Sequence, residues 1–466
     1  MNTTTLTLSD CQARDASDPL GALRNLYDIP ADTIYLDGNS LGVMPRTAPA
    51  RVAEAVTAEW GRDLIQSWNK AGWFALPQKV GNKIARLIGA APGEVVATDS
   101  TSVNLFKVLS AALTIAAQDA PGRKVVLSER SNFPTDLYIA EALCKERGYT
   151  LRLMDNDGSQ PAVLGELTAD VAVLMLTHVN YRTGAMHDMA AITAAAHAAG
   201  ALTVWDLAHS AGAVPVDLNG SHADFAVGCG YKYLNGGPGA PAFVWANARH
   251  VDRFWQPLSG WWGHAAPFEF TPDYRPAAGI ARYQCGTQPI LSLTALECGV
   301  DTLLAAEPLG GMAALRAKSL ALTDLFIALV EQRCAGHGLG LVTPRDHAAR
   351  GSQVCLTFSP QTPLQAGATL PPKGAEVTLG RPGGDLVRTN ATLGTGGYAI
   401  VQALIARGVV GDFRAGDVRH PDILRFGFTP MYLGFADVWH AADQLLQVLQ
   451  TGEWQQPGFN QKHAVT

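Results

Sequence analysis

Lys232 is the first residue in this chain whose setting suggests chemistry. It lies in ADFAVGCGYKYLNGGPGAPAFVWA, residues 223–246, between Tyr231 and Tyr233, after an apolar run and before a glycine cluster. Most lysines are solvated, or lay their carbon stem on apolar surface and keep the ammonium wet. A desolvated lysine has another use: its amine is a good nucleophile and condenses with an aldehyde to an imine. Upstream, TVWDLAHSAG (203–212) ends a predicted buried strand on Asp206, and His209 follows three residues on. Asp206 suits an acid in a crevice at the strand end, and it equally suits a helix N-cap. Farther upstream, DSTSVNLFK (99–107) puts Thr101 and Ser102 at the start of a predicted helix. Free N–H groups and the positive end of the dipole make that a phosphate cradle, although capping alone would use the same hydroxyls.

Together these residues match one chemical need. Pyridoxal 5'-phosphate is held by a lysine through its aldehyde and wants an acid beside its ring nitrogen. A carboxylate there keeps the nitrogen protonated, because an opposite charge favours the charged form. The cationic ring then draws electrons from a substrate carbon. Asp-x-x-His followed 26 residues after the Asp by a lysine fits one branch of such enzymes.

The elements that must position these groups are visible as periodicity. Apolar spacing predicts helices over 102–117 and 136–147, and an alanine-rich one over 189–199 stopped by Gly200. Strands are predicted at 124–127, 151–154, 170–176, 201–205, 225–227 and 242–245; the continuously apolar 170–176 implies burial on both faces. This alternation predicts an α/β fold: a large domain with a mostly parallel central sheet flanked by helices. From 291 to 334 the pattern is long and helical; a strand at 423–427 and a helix at 435–449 indicate a smaller α+β domain. The expected division is an N-terminal arm with a small-domain segment (1–70), a large domain (71–305) and a small domain (306–466). The last carries a Pro/Gly-rich insertion at about 359–397, to which no chemistry is assigned.

Composition narrows the function classes. With 466 residues, 47% hydrophobic, the chain can bury large cores; a net charge of −6 gives no basic field for nucleic acid or an anionic membrane. Its seven cysteines (11, 144, 229, 285, 298, 334 and 355) are scattered with no C-x-x-C pair, which suits reduced thiols in a cytosolic protein. The N-terminus lacks a basic start and an apolar stretch, so no signal peptide is expected, and no apolar run is long enough to span a bilayer. No His/Cys cluster has metal-ligand spacing, and no G-x-G-x-x-G stands between a strand and a helix where a nicotinamide enzyme would need it.

Six segments in order carry a resemblance: YLDGNSLGVMP (35–45), SNFPTDLY (131–138), DLAHSAG (206–212), GYKYLNGGPG (230–239), GWWGH (260–264) and LRFGFTPMY (424–432). The chain resembles the kynureninase family, pyridoxal-phosphate enzymes of the aminotransferase-like fold type I, class V branch. The resemblance implies that Lys232 holds the cofactor as an imine, with Asp206 on the ring nitrogen and Phe133 stacked on the ring. It makes Asp136 a second carboxylate near the ring, although Asp136 could equally cap the helix it begins. Thr101, Ser102, His209 and Tyr231 would surround the phosphate or ring substituents, with Thr177 beside the ring. Trp261 and Thr287 would reach the phosphate of a neighbouring subunit, since similar enzymes build each site across a homodimer. Arg425 would clamp the substrate carboxylate with its guanidinium fork; otherwise it reads as a surface strand arginine. Ser40, Trp68, Gly286 and Thr287 would line an aryl pocket, although tryptophans such as Trp68 are more often simply core. Trp68 with Gly286 and Thr287 resembles the bacterial-type, kynurenine-preferring pocket. The insertion is longer than the family pattern suggests.

The implied reaction is hydrolysis of L-kynurenine to anthranilate and L-alanine, or of its 3-hydroxy form to 3-hydroxyanthranilate. Lys232 would be the base, and Tyr231 would deliver a proton to the departing carbon or tune the phosphate's protonation. Two alternatives stand beside it. A cysteine desulfurase-like lyase would share the sheet, lysine and aspartate, but needs a mobile cysteine and stacks a histidine where this chain has Phe133. A non-catalytic homologue that binds aromatic amino acids would keep the fold without the reaction.

Overall fold

The structure, a computed structural model, describes residues 6–155, 160–359, 376–379, 387–390, 396–417 and 420–461. Its centre is a seven-stranded sheet built from β1 (Val95–Ala97), β2 (Val125–Glu129), β3 (Thr150–Met154), β4 (Val171–Thr177), β5 (Leu202–Asp206), β6 (Phe225–Gly228) and β7 (Phe243–Ala246). The spatial order is β1-β7-β6-β5-β4-β2-β3. Every pair from β6 to β3 is parallel, while β7 runs antiparallel to both its neighbours. A parallel return normally needs a crossover helix. Residues 229–242, which join β6 to β7, contain none, so β7 turns back beside β6.

Helices cover both faces. The flanking set comprises α1 (Leu76–Ala85), α2 (Thr101–Asp119), α3 (Pro134–Arg147), α4 (Met189–Ala199) and α5 (Ile290–Leu304). Val126, Val173, Val204 and Phe225 pack with Leu105, Leu109 and Leu143 of α2 and α3. Leu127, Leu174, Trp205 and Trp245 face the other way, in one core with Val80, Ile192 and Leu296 of α1, α4 and α5. All seven residues of β4 are consequently buried, as its unbroken apolar run implies. Gly200, at φ +82°, ends α4 in the left-handed region, which glycine enters without a Cβ clash.

A second, antiparallel sheet contains β8 (Leu339–Leu341), β9 (Gln353–Phe358), β12 (Asp412–Arg414) and β13 (Ile423–Gly427), in the order β12-β13-β9-β8. Between β9 and β12 in sequence, β10 (Glu376–Leu379) and β11 (Val387–Asn390) pair with each other. The rest of the expected insertion lies outside the described residues, apart from its ends at 359 and 396–397. Helices α6 (Gly311–Arg333), α7 (Gly397–Ala406) and α8 (Phe435–Thr451) flank the second sheet; Phe326 of α6 meets Phe426 and Phe428 at ring distances of 5.2 and 5.1 Å.

The segment 34–45 straps this sheet to the lysine loop. Ile34 and Tyr35 pair with Val409 and Val410, Gly427 N donates to Leu36 O, and Gly42 N donates to Tyr231 O at 2.8 Å. The glycine spacing of GNSLG has a steric cause. A Cβ at Gly42 would stand 2.2 Å from Lys232 O, and one at Gly38 would stand 2.6 Å from the Tyr432 hydroxyl.

Candidate active site

The carboxyl ends of the parallel strands converge on one recess, where open sheets bind ligands. Thr177 and Asp206 end β4 and β5 as register partners; Lys232 follows β6, Phe133 follows β2, and Thr101 opens the helix after β1. The recess is lined by nine of the sequence-predicted residues: Thr101, Ser102, Phe133, Asp136, Thr177, Asp206, His209, Tyr231 and Lys232. Thr135, Tyr181, Ala208 and Cys229 complete the wall.

Three alternatives left open by sequence are settled by geometry. Ser100, not Thr101 or Ser102, caps α2, accepting from Val103 N at 3.3 Å, so the next two hydroxyls are left to the recess. Asp136 gives no cap to α3 and is buried. Asp206 caps no helix either; its Oδ1 accepts from Ala208 N at 2.8 Å in the turn after β5.

Burial and mutual repulsion push the Asp136 carboxyl well above its ordinary range; Lys232 opposes this. Burial also raises Asp206, against the pull of Lys232. Asp136 Oδ2 is buried without a hydrogen-bond partner. Two carboxyls packed this closely favour a cation between them or a proton on one. Lys232 Nζ lies 3.0 Å from His209 Nε2, and 5.9 and 5.7 Å from the rings of Phe133 and Tyr231. His209 is held well below its usual range by burial and by the charges of Lys232 and Arg425. Burial pushes the Tyr231 hydroxyl up, so it keeps its proton.

Phe133 is 41% exposed, an apolar ring face left open at the recess wall. Asn132, which sequence reasoning passed over, holds it there. The Asn132 Oδ1 accepts from Phe133 N at 2.6 Å and from the Thr177 hydroxyl, while its Nδ2 donates to Ser128 at 3.1 Å.

Arg425 is no surface residue: it is buried at 1% exposure in β13. It donates to Tyr181 O at 2.9 Å, to the Ser40 hydroxyl at 2.7 Å and to Asp412, and its Nε has no partner. Ser40 therefore stands with Arg425, one residue behind the recess wall. The other four predicted residues lie outside the recess wall. Trp68 packs on Trp73 and Trp262, and Trp261 lies on the same aromatic shelf. Gly286 and the exposed Thr287 sit on a loop whose Gln288 accepts from Thr98 at 3.1 Å.

The comparisons with known proteins agree with this geometry. A family model described as aminotransferase class-V matches residues 70–391, and one described as the kynureninase C-terminal domain matches 386–445. A kynureninase of Burkholderia pseudomallei (strain K96243) is 53% identical over 462 residues, 99% of this chain and 100% of that protein. One from Pseudomonas fluorescens is 52% identical over the same spans. The chain belongs to the kynureninase family. Among solved structures, a cysteine desulfurase from Thermococcus onnurineus NA1 superposes with a TM-score of 0.71 at 17% identity, covering 92% of this chain and 98% of its own. A C-DES variant with glycine covalently linked to its PLP cofactor gives 0.71 at 16% identity, covering 91% and 98%. These share the fold, the fold-type I architecture of pyridoxal-phosphate enzymes.

Kynureninases are pyridoxal-phosphate enzymes, and the recess fits that group. The unpartnered Asp136 oxygen and the Asp206 carboxyl offer negative charge for a ring cation. The remaining N–H groups of the first turn of α2 offer donors for a phosphate, and Lys232 offers an amine in the same recess. Among the described residues no cluster of His, Cys, Asp and Glu could hold a metal, and no helix is long and apolar enough to cross a membrane.

Proposed function

We propose that the chain cleaves L-kynurenine hydrolytically at the Cβ–Cγ bond, releasing anthranilate and L-alanine, and acts in cytoplasmic tryptophan degradation. 3-Hydroxykynurenine is the related second substrate. The observation that carries this reading is the Lys232 amine in one recess with two buried carboxyls, in a chain matching kynureninases end to end.

Bound pyridoxal phosphate would supply an aldehyde for the amine and a cationic ring that takes up electrons as bonds to the substrate carbon break. The residues around it divide the remaining work. Asp206, with Asp136 in the same recess, would keep the ring nitrogen charged. Thr101, Ser102 and the first N–H groups of α2 receive the phosphate. Phe133, exposed at the recess wall, would lie against the cofactor ring and exclude water. Lys232, whose amine stands in the recess, would take the proton from the substrate's α-carbon. Tyr231, protonated at neutral pH, donates to the departing β-carbon. The unpartnered Nε of Arg425 would take the substrate carboxylate, with Ser40 and Tyr181 O fixing the fork.

The shelf of Trp68, Phe74, Trp261, Trp262, Phe268 and Phe270 supports a homodimer. Phe268 and Phe270 are 63% and 76% exposed yet lie ring to ring with Trp261, and an apolar patch of this kind marks an interaction surface. In such a dimer Trp261 and Thr287 reach the partner's phosphate, and Trp68 with Gly286 frames the aryl ring.

A desulfurase-like reading draws on the shared fold and on Cys229, which lines the recess. Cys229 is buried and its thiol is pushed up by burial, whereas the thiolate is the nucleophile. That disfavours it.

The test is direct. The purified chain, loaded with pyridoxal phosphate, is given L-kynurenine and 3-hydroxykynurenine side by side, following aryl product by fluorescence and alanine by chromatography. Both products should form, and Lys232→Ala should form neither. Absence of product from either substrate with the loaded wild type would overturn the reading.

A further inference from the structure

Gln353 belongs to β9 of the second sheet, yet it reaches the lysine site. Its side chain is fully buried. The amide Nε2 lies 3.2 Å from Asn180 O and 3.1 Å from Tyr181 O. Carbonyls only accept, so the NH2 end of the amide must face them. The other end, Oε1, then faces His209 Nδ1 at 3.1 Å. An amide oxygen also only accepts, so Nδ1 must carry a hydrogen.

Burial and the surrounding positive charge disfavour a second hydrogen on the ring. His209 is buried, and Lys232, Arg425 and Arg414 set positive charge around it, with the Tyr233 ring edge-on at 6.4 Å. A neutral imidazole protonated at Nδ1 has its lone pair on Nε2. That nitrogen is the one 3.0 Å from Lys232 Nζ.

We propose that Gln353 is a positioning residue that locks His209 in the neutral Nδ1–H tautomer, so that the nitrogen turned toward Lys232 is a proton acceptor. This rests on the reading of Lys232 as the reactive amine. Without the acceptor at 353 the hydrogen is free to move to Nε2. An N–H then points at the lysine, and a charge-assisted hydrogen bond is lost. The same amide also shares Tyr181 O with the Arg425 guanidinium, so one side chain braces both the lysine and the arginine.

The test reads the tautomer itself. Full-length protein labelled with 15N-histidine is loaded with pyridoxal phosphate, and the ring nitrogens of His209 are assigned by their loss in His209→Gln. The wild type should show Nδ1 protonated and Nε2 bare. Gln353→Met should move hydrogen onto Nε2 and lower kcat by about tenfold or more, with KM little changed. Gln353→Glu keeps an acceptor at Nδ1 and adds a charge; His209 should then become protonated on both nitrogens at a higher pH than in the wild type. Hydrogen on Nε2 in the wild type would overturn the proposal with no variant needed. Histidine spectra identical in wild type and both variants would do the same, and Gln353→Glu decides alone if Gln353→Met does not fold. The visible absorption of the loaded wild type reports separately on Lys232. Its absence would remove the lysine reading while the histidine spectrum still judged the tautomer.

Discussion

Asp136 and Asp206 oppose each other in a buried recess, and the cost of that arrangement shows what the site is built to hold. A carboxyl raised above its unfolded value binds its proton more tightly in the folded chain, so the fold loses stability as pH rises through the raised value. Asp136→Asn should therefore raise the melting temperature of the cofactor-free protein at neutral pH by a few degrees. The same change removes negative charge near a bound ring cation, so the melting increase on adding pyridoxal phosphate should shrink. Thermal melts with and without cofactor check both, and a variant that gained as much as wild type on loading would separate Asp136 from the cofactor. Asp37 follows the same sign. Burial, then the neighbouring Asp412, push it up to about 7, while Arg425 pulls it down. Its contribution is fully present below pH ~4 and is lost as pH climbs to about 7, by at most about 1.4 kcal/mol per pH unit. Asp37→Asn lacks this loss, so its melting temperature relative to wild type should rise between about pH 4 and 7 and level off above that. A constant difference across that range would refute the assignment.

At the scale of elements, the strap of residues 34–45 explains why a glycine-spaced motif sits so far in sequence from the lysine it serves. Gly42 packs on the carbonyl of Lys232 and donates to that of Tyr231, so the strap sets the height of the lysine loop. Gly42→Ala would push a Cβ into that carbonyl; it should cost about 1–3 kcal/mol and loosen cofactor retention. Urea unfolding and cofactor dialysis would measure the two effects, and an unchanged midpoint would show that the strap yields freely. Much of this layer was legible beforehand. The apolar run of β4 had to be buried on both faces, and Gly200 had to end α4. What stayed hidden depends on contacts made at long range. Gln353 bonds His209 across 144 residues and, read along its strand, resembles any polar strand residue. Asn132 looks like a loop residue until Phe133 and Thr177 are seen to share its oxygen. The reversal of β7 was concealed because strand residues carry no mark of direction.

At the scale of the molecule, one chain supplies the cradle, the lysine and the arginine but leaves Trp261 and Thr287 away from its own recess. The loop 284–288 is nonetheless anchored to the segment that leads into α2. Cys285 lies 3.9 Å from Asp99, and Gln288 accepts from Thr98. Buried Lys107 ties Asp99 to Tyr283 O, just before the loop. A loop fixed so firmly at its root, with Thr287 exposed at its tip, is suited to present that residue to another chain. A two-fold dimer would complete both sites by the same exchange. Lys232→Ala and Trp261→Ala chains should each form weakly active or inactive homodimers. Mixed dimers restore one full site, with Lys232 from one chain and Trp261 from the other. Random reassociation makes half the dimers hybrid with one working site of two, so the mixture should recover about a quarter of wild-type activity. Co-refolding the two variants and assaying the product, with sedimentation to fix the oligomeric state, measures this. Dimers that mix without regaining activity would confine each site to a single chain, and a monomeric wild type would leave the aromatic shelf to another partner.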